Sequence, residues 1–167
     1  MRGWGRFELA PPGSASVEAG IAAASRIPNS LEIWWPAPNG SVQDRFWYEG
    51  MAGWSGFELA GPGSASVHTA ITAASRISNS LEIWWPAPNG SVQDRFWYEG
   101  MAGWSGFELA GPGSASTNVS VAGVARVPNS LEIWWPAPNG SVQDRFWYEG
   151  MSGWGGFQLA GAGSATN

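Results

Sequence analysis

The sequence predicts an all-β protein built from three copies of one four-stranded module. The segment 30–50, SLEIWWPAPNGSVQDRFWYEG, recurs without a change at 80–100 and 130–150. Within each copy, short apolar and aromatic runs alternate with Gly, Pro and Asn turn signals every ~8–12 residues, a spacing typical of sandwiches, barrels and propellers. No stretch sustains a helical apolar period between these breaks, so we expect no helices.

Residues 67–116 illustrate the four strands predicted in each repeat. The predicted segments are 70–77, 81–85, 92–98 and 104–110. The Ser78–Asn79 turn ends the first strand, and Pro86 stops the second. The Asn89–Gly90 pair, which accepts positive φ in hairpin turns, separates the second strand from the third.

Large apolar side chains occupy both faces of the predicted sheet. Leu81 and Ile83 share one face of the second strand, while Trp84 lies on the other. Phe96 and Trp97 divide the third strand in the same way. An antiparallel sheet with water on one side alternates more cleanly. The pattern therefore predicts β-propeller blades stacked between neighbours. The β-trefoil, which also has three four-stranded repeats, is the alternative.

The period of 50 residues sets the expected domain boundaries. They are an extra outer strand within 1–16, blade 1 at 17–66, blade 2 at 67–116 and blade 3 at 117–167. Segments 4–10 and 154–160 are versions of the same fourth strand, so one outer strand is redundant. We expect one of these two to be displaced, frayed or exchanged between subunits.

Three blades cannot close a ring, because propellers have about four blades or more. An open arc would expose two Trp-lined faces, and apolar patches of that size favour association. We therefore expect self-association into a closed ring. A homodimer with six blades is the favoured assembly, and a homotrimer with nine is the alternative.

Composition argues against several classes of function. The net charge is −5, and the sequence has no basic stripe of the kind that binds nucleic acid. It has no cysteine and only one histidine, His68, so a repeated metal or catalytic site built on these residues is excluded. No catalytic motif, metal spacing or cofactor-binding motif is present. We therefore expect neither an enzyme nor a bound cofactor.

The sequence also gives no sign of membrane insertion. No apolar run approaches the ~20 residues that a spanning helix needs. The first residues contain no apolar segment typical of a signal peptide. These features leave open whether the protein is cytoplasmic or released.

The repeat resembles the blade of the fucose-binding β-propeller lectins of fungi and bacteria, and is still more similar to that of their seven-bladed bacterial relatives. The residues that carry the resemblance in the second copy are Asn79, Leu81, Glu82, Ile83, Arg95, Phe96, Trp97, Trp104 and Phe107. The similarity extends over the whole repeat, and so over the whole chain. It implies a multivalent carbohydrate-binding protein whose partners are glycans.

In those lectins the sugar lies between adjacent blades, where an Arg and an acid bind its hydroxyls and aromatic side chains cover its apolar face. The acid position falls on Asp94 in this sequence, but the Arg position falls on Glu82. Because of this difference, the resemblance does not imply that this protein is specific for fucose. The resemblance implies these candidate carbohydrate-binding residues: Glu32, Trp35, Asp44, Arg45, Trp47, Glu82, Trp85, Asp94, Arg95, Trp97, Glu132, Trp135, Asp144, Arg145 and Trp147.

Structural roles compete with binding for the same residues. The tryptophans would serve equally as packing between blades, where each buries roughly 150–250 Å². Glu82, Asp94 and Arg95 would serve equally as an ion-pair lattice. The near identity of the repeats is also what recent or engineered amplification produces. A structural, designed or fragmentary propeller scaffold without a specific ligand is therefore the alternative function.

Overall fold

The computed structural model describes residues 7–165, which form twelve β-strands and no helix. The strands are β1 Ala22–Ala24, β2 Ser30–Pro36, β3 Val42–Tyr48, β4 Ser55–Ala60, β5 Thr72–Ala74, β6 Ser80–Pro86, β7 Val92–Tyr98, β8 Ser105–Ala110, β9 Ala122–Val124, β10 Ser130–Pro136, β11 Val142–Tyr148 and β12 Gly155–Ala160. Nothing in this range could cross a membrane as a helix.

Each set of four consecutive strands forms one antiparallel sheet, and the strands lie side by side in chain order. We name these sheets blade 1 (β1–β4), blade 2 (β5–β8) and blade 3 (β9–β12). The innermost strands β1, β5 and β9 contact one another in turn. The prediction of an all-β propeller with three four-stranded blades is therefore confirmed, and the β-trefoil alternative is wrong.

The strand bounds agree with the sequence except at the first strand. β7 matches the predicted segment, while β6 is one residue longer at each end and β8 begins one residue later. The first strand is much shorter than the predicted 70–77, because the chain turns after Ala74. The Ser80 hydroxyl accepts from the Ile77 N–H (3.1 Å) and donates to the Ile77 carbonyl (2.8 Å), and Asn79 takes a φ of 62°.

The β6–β7 hairpin requires a glycine at position 90. The Gly90 N–H donates to the Ala87 carbonyl (2.9 Å), and Gly90 has a φ of 78°. Of the predicted Asn89–Gly90 pair, only the glycine has positive φ. A Cβ on Gly90 would lie 2.8 Å from the Ala115 carbonyl oxygen. The turn therefore requires glycine, because the segment after β8 packs against it.

The core lies between the blades, as the two-faced pattern predicts. Trp34 of blade 1 packs in one cluster with Leu81 and Ile83 of blade 2. Trp84, on the opposite face of blade 2, packs with Leu131 of blade 3 in the equivalent cluster. Blade 2 therefore buries one face against blade 1 and the other against blade 3.

The two outermost faces of the arc are open. On the first face of blade 1, Leu31 is 50% exposed, whereas its counterparts Leu81 and Leu131 are 2% and 3% exposed. On the last face of blade 3, Phe157 and Leu159 are exposed. We call these surfaces the leading face and the trailing face. They are the same two surfaces that pack together at each internal blade boundary.

The predicted extra strand at 4–10 lies partly outside the described residues. Residues 7–16 form no strand, although β12 confirms the equivalent strand at the other end of the chain. An outer strand needs the third strand of its own blade as a partner, and within residues 7–165 each of the three third strands already pairs with β4, β8 or β12. Residues 7–16 instead lie as turns against blade 1.

Candidate functional site

Two equivalent clefts lie between adjacent blades. The cleft between blades 1 and 2 has a volume of about 460 Å³, and that between blades 2 and 3 about 250 Å³. Residues lining the first include Arg26, Glu32, Phe46, Phe57, Trp97 and Trp104. Residues lining the second include their counterparts Arg76, Glu82, Phe96, Phe107, Trp147 and Trp154. We call these the inter-blade clefts.

An arginine spans each inter-blade cleft. Arg76 precedes β6, and its Nε lies 3.7 Å from Oε2 of Glu82 on the same blade. Its Nη1 donates to Oδ1 of Asn129 on blade 3 (3.1 Å). The guanidinium carbon lies 4.9 Å from the centroid of the Trp147 ring, within the range of a cation–π contact. The arginine is thus held between an acid and an aromatic ring on two different blades.

The acid beside the arginine belongs to a buried pair. β6 and β7 pair with Glu82 opposite Phe96 and Trp84 opposite Asp94, which places both carboxyl groups on one face of the sheet. Burial raises the pKa of Glu82, the nearby Asp94 carboxyl adds to this rise, and Arg76 opposes it. Burial also raises the pKa of Asp94. One proton shared between the two groups lets the protein avoid burying two negative charges.

The Asp partner of each pair is fully buried. Asp44, Asp94 and Asp144 have no exposed surface. The Trp84 indole N–H donates to Oδ2 of Asp94. In blade 1, Asp44 lacks any such hydrogen-bond partner. The three aspartates therefore lie behind the glutamates rather than in the clefts, and the predicted direct contact between them and a ligand does not fit their position.

The predicted arginine and first tryptophan lie at the opposite end of the blade. Arg95 and Trp85 line a separate cleft beside the β6–β7 hairpin. The Arg95 guanidinium lies 5.8 Å from the Trp85 ring centroid and donates to the Asp94 carbonyl (2.9 Å). Trp85 is 1% exposed, and its N–H donates to the Ser64 carbonyl (2.9 Å).

The predicted residues therefore separate into three groups. The inter-blade clefts contain Glu32, Glu82, Trp97 and Trp147. The hairpin end contains Trp35, Arg45, Trp85 and Arg95, with Trp135 and Arg145 in the equivalent contact. Asp44, Asp94 and Asp144 are buried. The remaining two, Trp47 on blade 1 and Glu132 on blade 3, are partly exposed.

Sequence reasoning missed the arginine of the inter-blade cleft. Arg26 and Arg76 lie in the part of the repeat whose sequence varies between copies. The candidate residues were instead taken from the strands that are identical in all three copies. A signal was nevertheless present, because Arg26, Arg76 and Arg126 recur at the 50-residue period within that variable part. The acid and the base that lie together in the cleft between blades 2 and 3 are Glu82 and Arg76.

Each end of the arc carries half of a further cleft. On blade 3, Arg126 is exposed and Glu132 partly exposed, and no other blade within residues 7–165 covers them. On blade 1, Trp47 and Trp54 occupy the positions that Trp97 and Trp104 take in the first inter-blade cleft. Residues 7–165 contain no cluster of side chains suited to holding a metal ion.

Solved structures with a similar fold include several lectins. The BP39L lectin from Burkholderia pseudomallei aligns with a TM-score of 0.81 at 18% identity, covering 93% of this chain and 45% of its own. The lectin from Aleuria aurantia, a six-bladed propeller that recognises fucose, aligns with a TM-score of 0.66 at 18% identity, covering 87% and 46%. SapL1 lectin, bound to α-methyl fucoside, aligns with a TM-score of 0.64 at 14% identity, covering 84% and 47%.

No protein-family model and no curated protein sequence matches the chain. The chain spans less than half the length of each of these three lectins. The resemblance expected from the repeat is confirmed at the level of the fold. The chain consists of three consecutive blades of the propeller fold found in fucose-binding lectins.

Proposed function

We propose that the inter-blade clefts bind carbohydrate, and that an L-fucose-type sugar is the first ligand to test. The observation that carries this proposal is the Arg76–Glu82 pair, which faces Trp147 across a blade boundary. The guanidinium supplies several fixed N–H donors, and the carboxyl group accepts from sugar hydroxyls. The indole ring offers an apolar surface to the C–H face of a pyranose.

The size and construction of the clefts support a small ligand. Their volumes lie near the lower end of the ~300–1,000 Å³ typical of small-molecule sites. The lectins with this fold include proteins that recognise or contain bound fucosides. Arg76 supports a fucose-type ligand, because it supplies a basic group in the cleft although Glu82 stands at the Arg position of the resembling lectins.

We further propose that a second copy closes the ring. The trailing face of one chain has the residues that cover the leading face of another, since the same surfaces pack at each internal boundary. Trp47 and Trp54 of a second copy would then complete the half cleft at Arg126 and Glu132. A dimer of six blades would carry six clefts, and multivalency would raise a weak single-site affinity.

The proposal assigns no catalysis to the acid pair. Glycosidases place two carboxyl groups on either side of the scissile bond, about 5 Å or more apart. Glu82 and Asp94 instead lie close together, so that the Asp94 carboxyl adds to the rise that burial causes in the pKa of Glu82. Asp94 has no exposed surface, so a substrate cannot lie between the two groups.

The proposal is tested by a glycan array followed by calorimetric titration of the best ligand. The intact protein should bind at least one fucosylated or related glycan, and Trp147→Ala should reduce the number of sites per chain. Gln143→Ala, at the hairpin end of the same strand, serves as the matched control and should leave the number unchanged. If the folded protein binds no glycan on a broad array, the result would instead support the scaffold alternative.

A further inference from the structure

The end of each outer strand and the segment that follows it form an insert that docks on the next blade. Its sequence is FELAGPGSAS at 57–66 and again at 107–116, with close variants at 7–16 and 157–166. The structure describes the last of these as far as residue 165. The receiving groove on each blade is formed around Trp35, Trp85 or Trp135 at the end of the second strand.

The three docked inserts make equivalent contacts. The indole N–H groups of the three groove tryptophans donate to the Ser14, Ser64 and Ser114 carbonyls at 2.9, 2.9 and 3.0 Å. The N–H groups of Ser16, Ser66 and Ser116 donate to the carbonyls of Pro36, Pro86 and Pro136 at 2.9, 2.8 and 2.8 Å. Residues 7–16 thus occupy on blade 1 the place that an outer segment of a preceding blade would take.

The aromatic contacts repeat in the same way. The Phe7 and Trp54 ring centroids are 6.3 Å apart on blade 1. The Phe107 and Trp154 centroids are 6.4 Å apart at the boundary of blades 2 and 3. Residues 7–165 therefore contain four inserts and three grooves, and the insert at 157–165 docks in none of these three grooves.

We propose that the groove on blade 1 is the docking site for the C-terminal insert of a second copy, and that residues 7–16 occupy it only until that copy displaces them. This inference rests on the proposed closure of the ring. It identifies the N-terminal insert as the redundant segment, and makes it an intramolecular competitor of assembly.

The C-terminal insert is already anchored on its own blade. The Gly163 N–H donates to the Asn139 carbonyl (2.9 Å), and the Ala165 N–H donates to the Gly140 carbonyl (2.7 Å). The same two bonds anchor the insert at 107–116 through Gly113 and Ala115. The insert at 157–165 is therefore pre-formed, so docking it orders little additional chain.

Within the described residues 7–165, the N-terminal insert makes neither of these two anchoring bonds. It also differs at the residue before its phenylalanine. Gly56, Gly106 and Gly156 stand at this position in the outer strands, whereas the first copy has Arg6. A Cβ at Gly156 would lie 2.6 Å from the Asp144 carbonyl oxygen. A side chain at this position prevents regular pairing as an outer strand, so the first copy cannot replace β12 on the blade 3 of a second copy.

The inference is tested by the reactivity of single thiols in the assembled protein. The sequence has no cysteine, so Ala15→Cys and Ala165→Cys each introduce one thiol, in the N-terminal and C-terminal inserts. The equivalent Ala65, in a permanently docked insert, is 1% exposed, and Ala65→Cys is the matched control. Light scattering establishes the mass of each sample, and maleimide labelling measures thiol exposure.

In the assembled protein, the Ala165→Cys thiol should be labelled about tenfold or more slowly than the Ala15→Cys thiol, because labelling a docked segment requires local opening. The Ala65→Cys control should be as slow as Ala165→Cys. A slow Ala15→Cys thiol with a fast Ala165→Cys thiol would overturn the inference, as would equal rates at these two sites. Hydrogen exchange of the unsubstituted assembly provides a second comparison, because the Ser66 N–H, which donates to the Pro86 carbonyl, should be protected, while the equivalent Ser16 N–H should exchange rapidly.

The two proposals fail differently in this experiment. A mass of one chain at all concentrations would contradict ring closure, and this inference with it. An assembled mass with a protected Ala15→Cys thiol would contradict this inference alone. Glycan titration of the two internal clefts is independent of both results.

Discussion

The Arg76 guanidinium donates a 3.1 Å hydrogen bond to Asn129 Oδ1 across the boundary between blades 2 and 3. The Asn129 N–H in turn donates to the Arg76 carbonyl (3.0 Å). Asn129 has a φ of 58°, a left-handed conformation that asparagine accepts more readily than most residues. The same residue thus turns the chain into β10 and fixes the arginine of the neighbouring cleft, which couples blade geometry to the candidate site.

Replacing Arg76 should remove one binding site. Loss of hydrogen bonds to a charged group costs about 1.5–3 kcal/mol, so Arg76→Ala should weaken carbohydrate binding at its cleft by roughly 10- to 150-fold. Calorimetric titration should show fewer tight sites per chain. Arg95→Ala, at the hairpin end, should leave the number of sites unchanged. Loss of binding in Arg95→Ala alone would move the site to the hairpin end.

The acid pair should make stability depend on pH. Burial and the adjacent Asp94 carboxyl raise the pKa of Glu82 from 4.5 to about 9 in the folded protein. Between these values the folded chain keeps a proton that the unfolded chain has lost. The contribution to stability is therefore fully present below about pH 4.5 and is lost as the pH rises toward 9.

Urea unfolding at several pH values across this window measures the effect. Glu82→Gln, which keeps the shape of the side chain without its charge, should flatten the decline. Combining it with Glu32→Gln should flatten it further, because burial raises the pKa of Glu32 in the same way. A wild-type stability that rises with pH across the window would contradict the shared-proton pair.

Two identical leucines should differ in their contribution to stability. Leu81 is buried between blades 1 and 2, so Leu81→Ala should cost about 2–5 kcal/mol of unfolding free energy. Leu31 is half-exposed on the leading face, so Leu31→Ala should lower the unfolding free energy of the monomer by less than about 1 kcal/mol. Denaturant unfolding of both variants at low protein concentration makes the comparison. Equal losses in the monomer would show that the leading face is not open.

Substitutions of Gly103, in the loop before β8, and Gly106, in β8, should also differ in their effect on stability. A Cβ on Gly106 would lie 2.3 Å from the Asp94 carbonyl oxygen, whereas a Cβ on Gly103 would meet nothing within 4 Å. Gly106→Ala should therefore destabilise the protein by about 1–3 kcal/mol or more through backbone strain, while Gly103→Ala should stay within about 0.5 kcal/mol. Thermal unfolding separates the two. A well-tolerated Gly106→Ala would remove the argument that Arg6 is incompatible with an outer strand.

The strands and their faces could be predicted from the sequence because they depend on local patterns. Leu81 and Trp84 lie on opposite faces of β6 in any regular strand, and two apolar faces require two neighbours. The first strand was predicted too long because its end depends on a local bond. The hydroxyl of Ser80 contacts the Ile77 backbone, which apolar patterning does not reveal.

The candidate site was predicted less well because it depends on contacts between repeats. Trp85 was a predicted sugar-binding residue. In the structure its indole N–H donates to the Ser64 carbonyl, which belongs to the insert of the preceding blade. Asp94 follows the family pattern in sequence, yet it is buried behind Glu82. Arg76 reaches the cleft only because the turn before β6 faces Trp147 of the next blade. None of these relationships is visible within one repeat.

A crystal structure of the intact protein with its best-binding glycan tests the central claim most directly. We expect a sugar ring against Trp147, with its hydroxyls within hydrogen-bond distance of Arg76 and Glu82, and an equivalent sugar at Trp97 with Arg26 and Glu32. A sugar bound at the hairpin ends beside Trp85 and Arg95, with the inter-blade clefts empty, would contradict it.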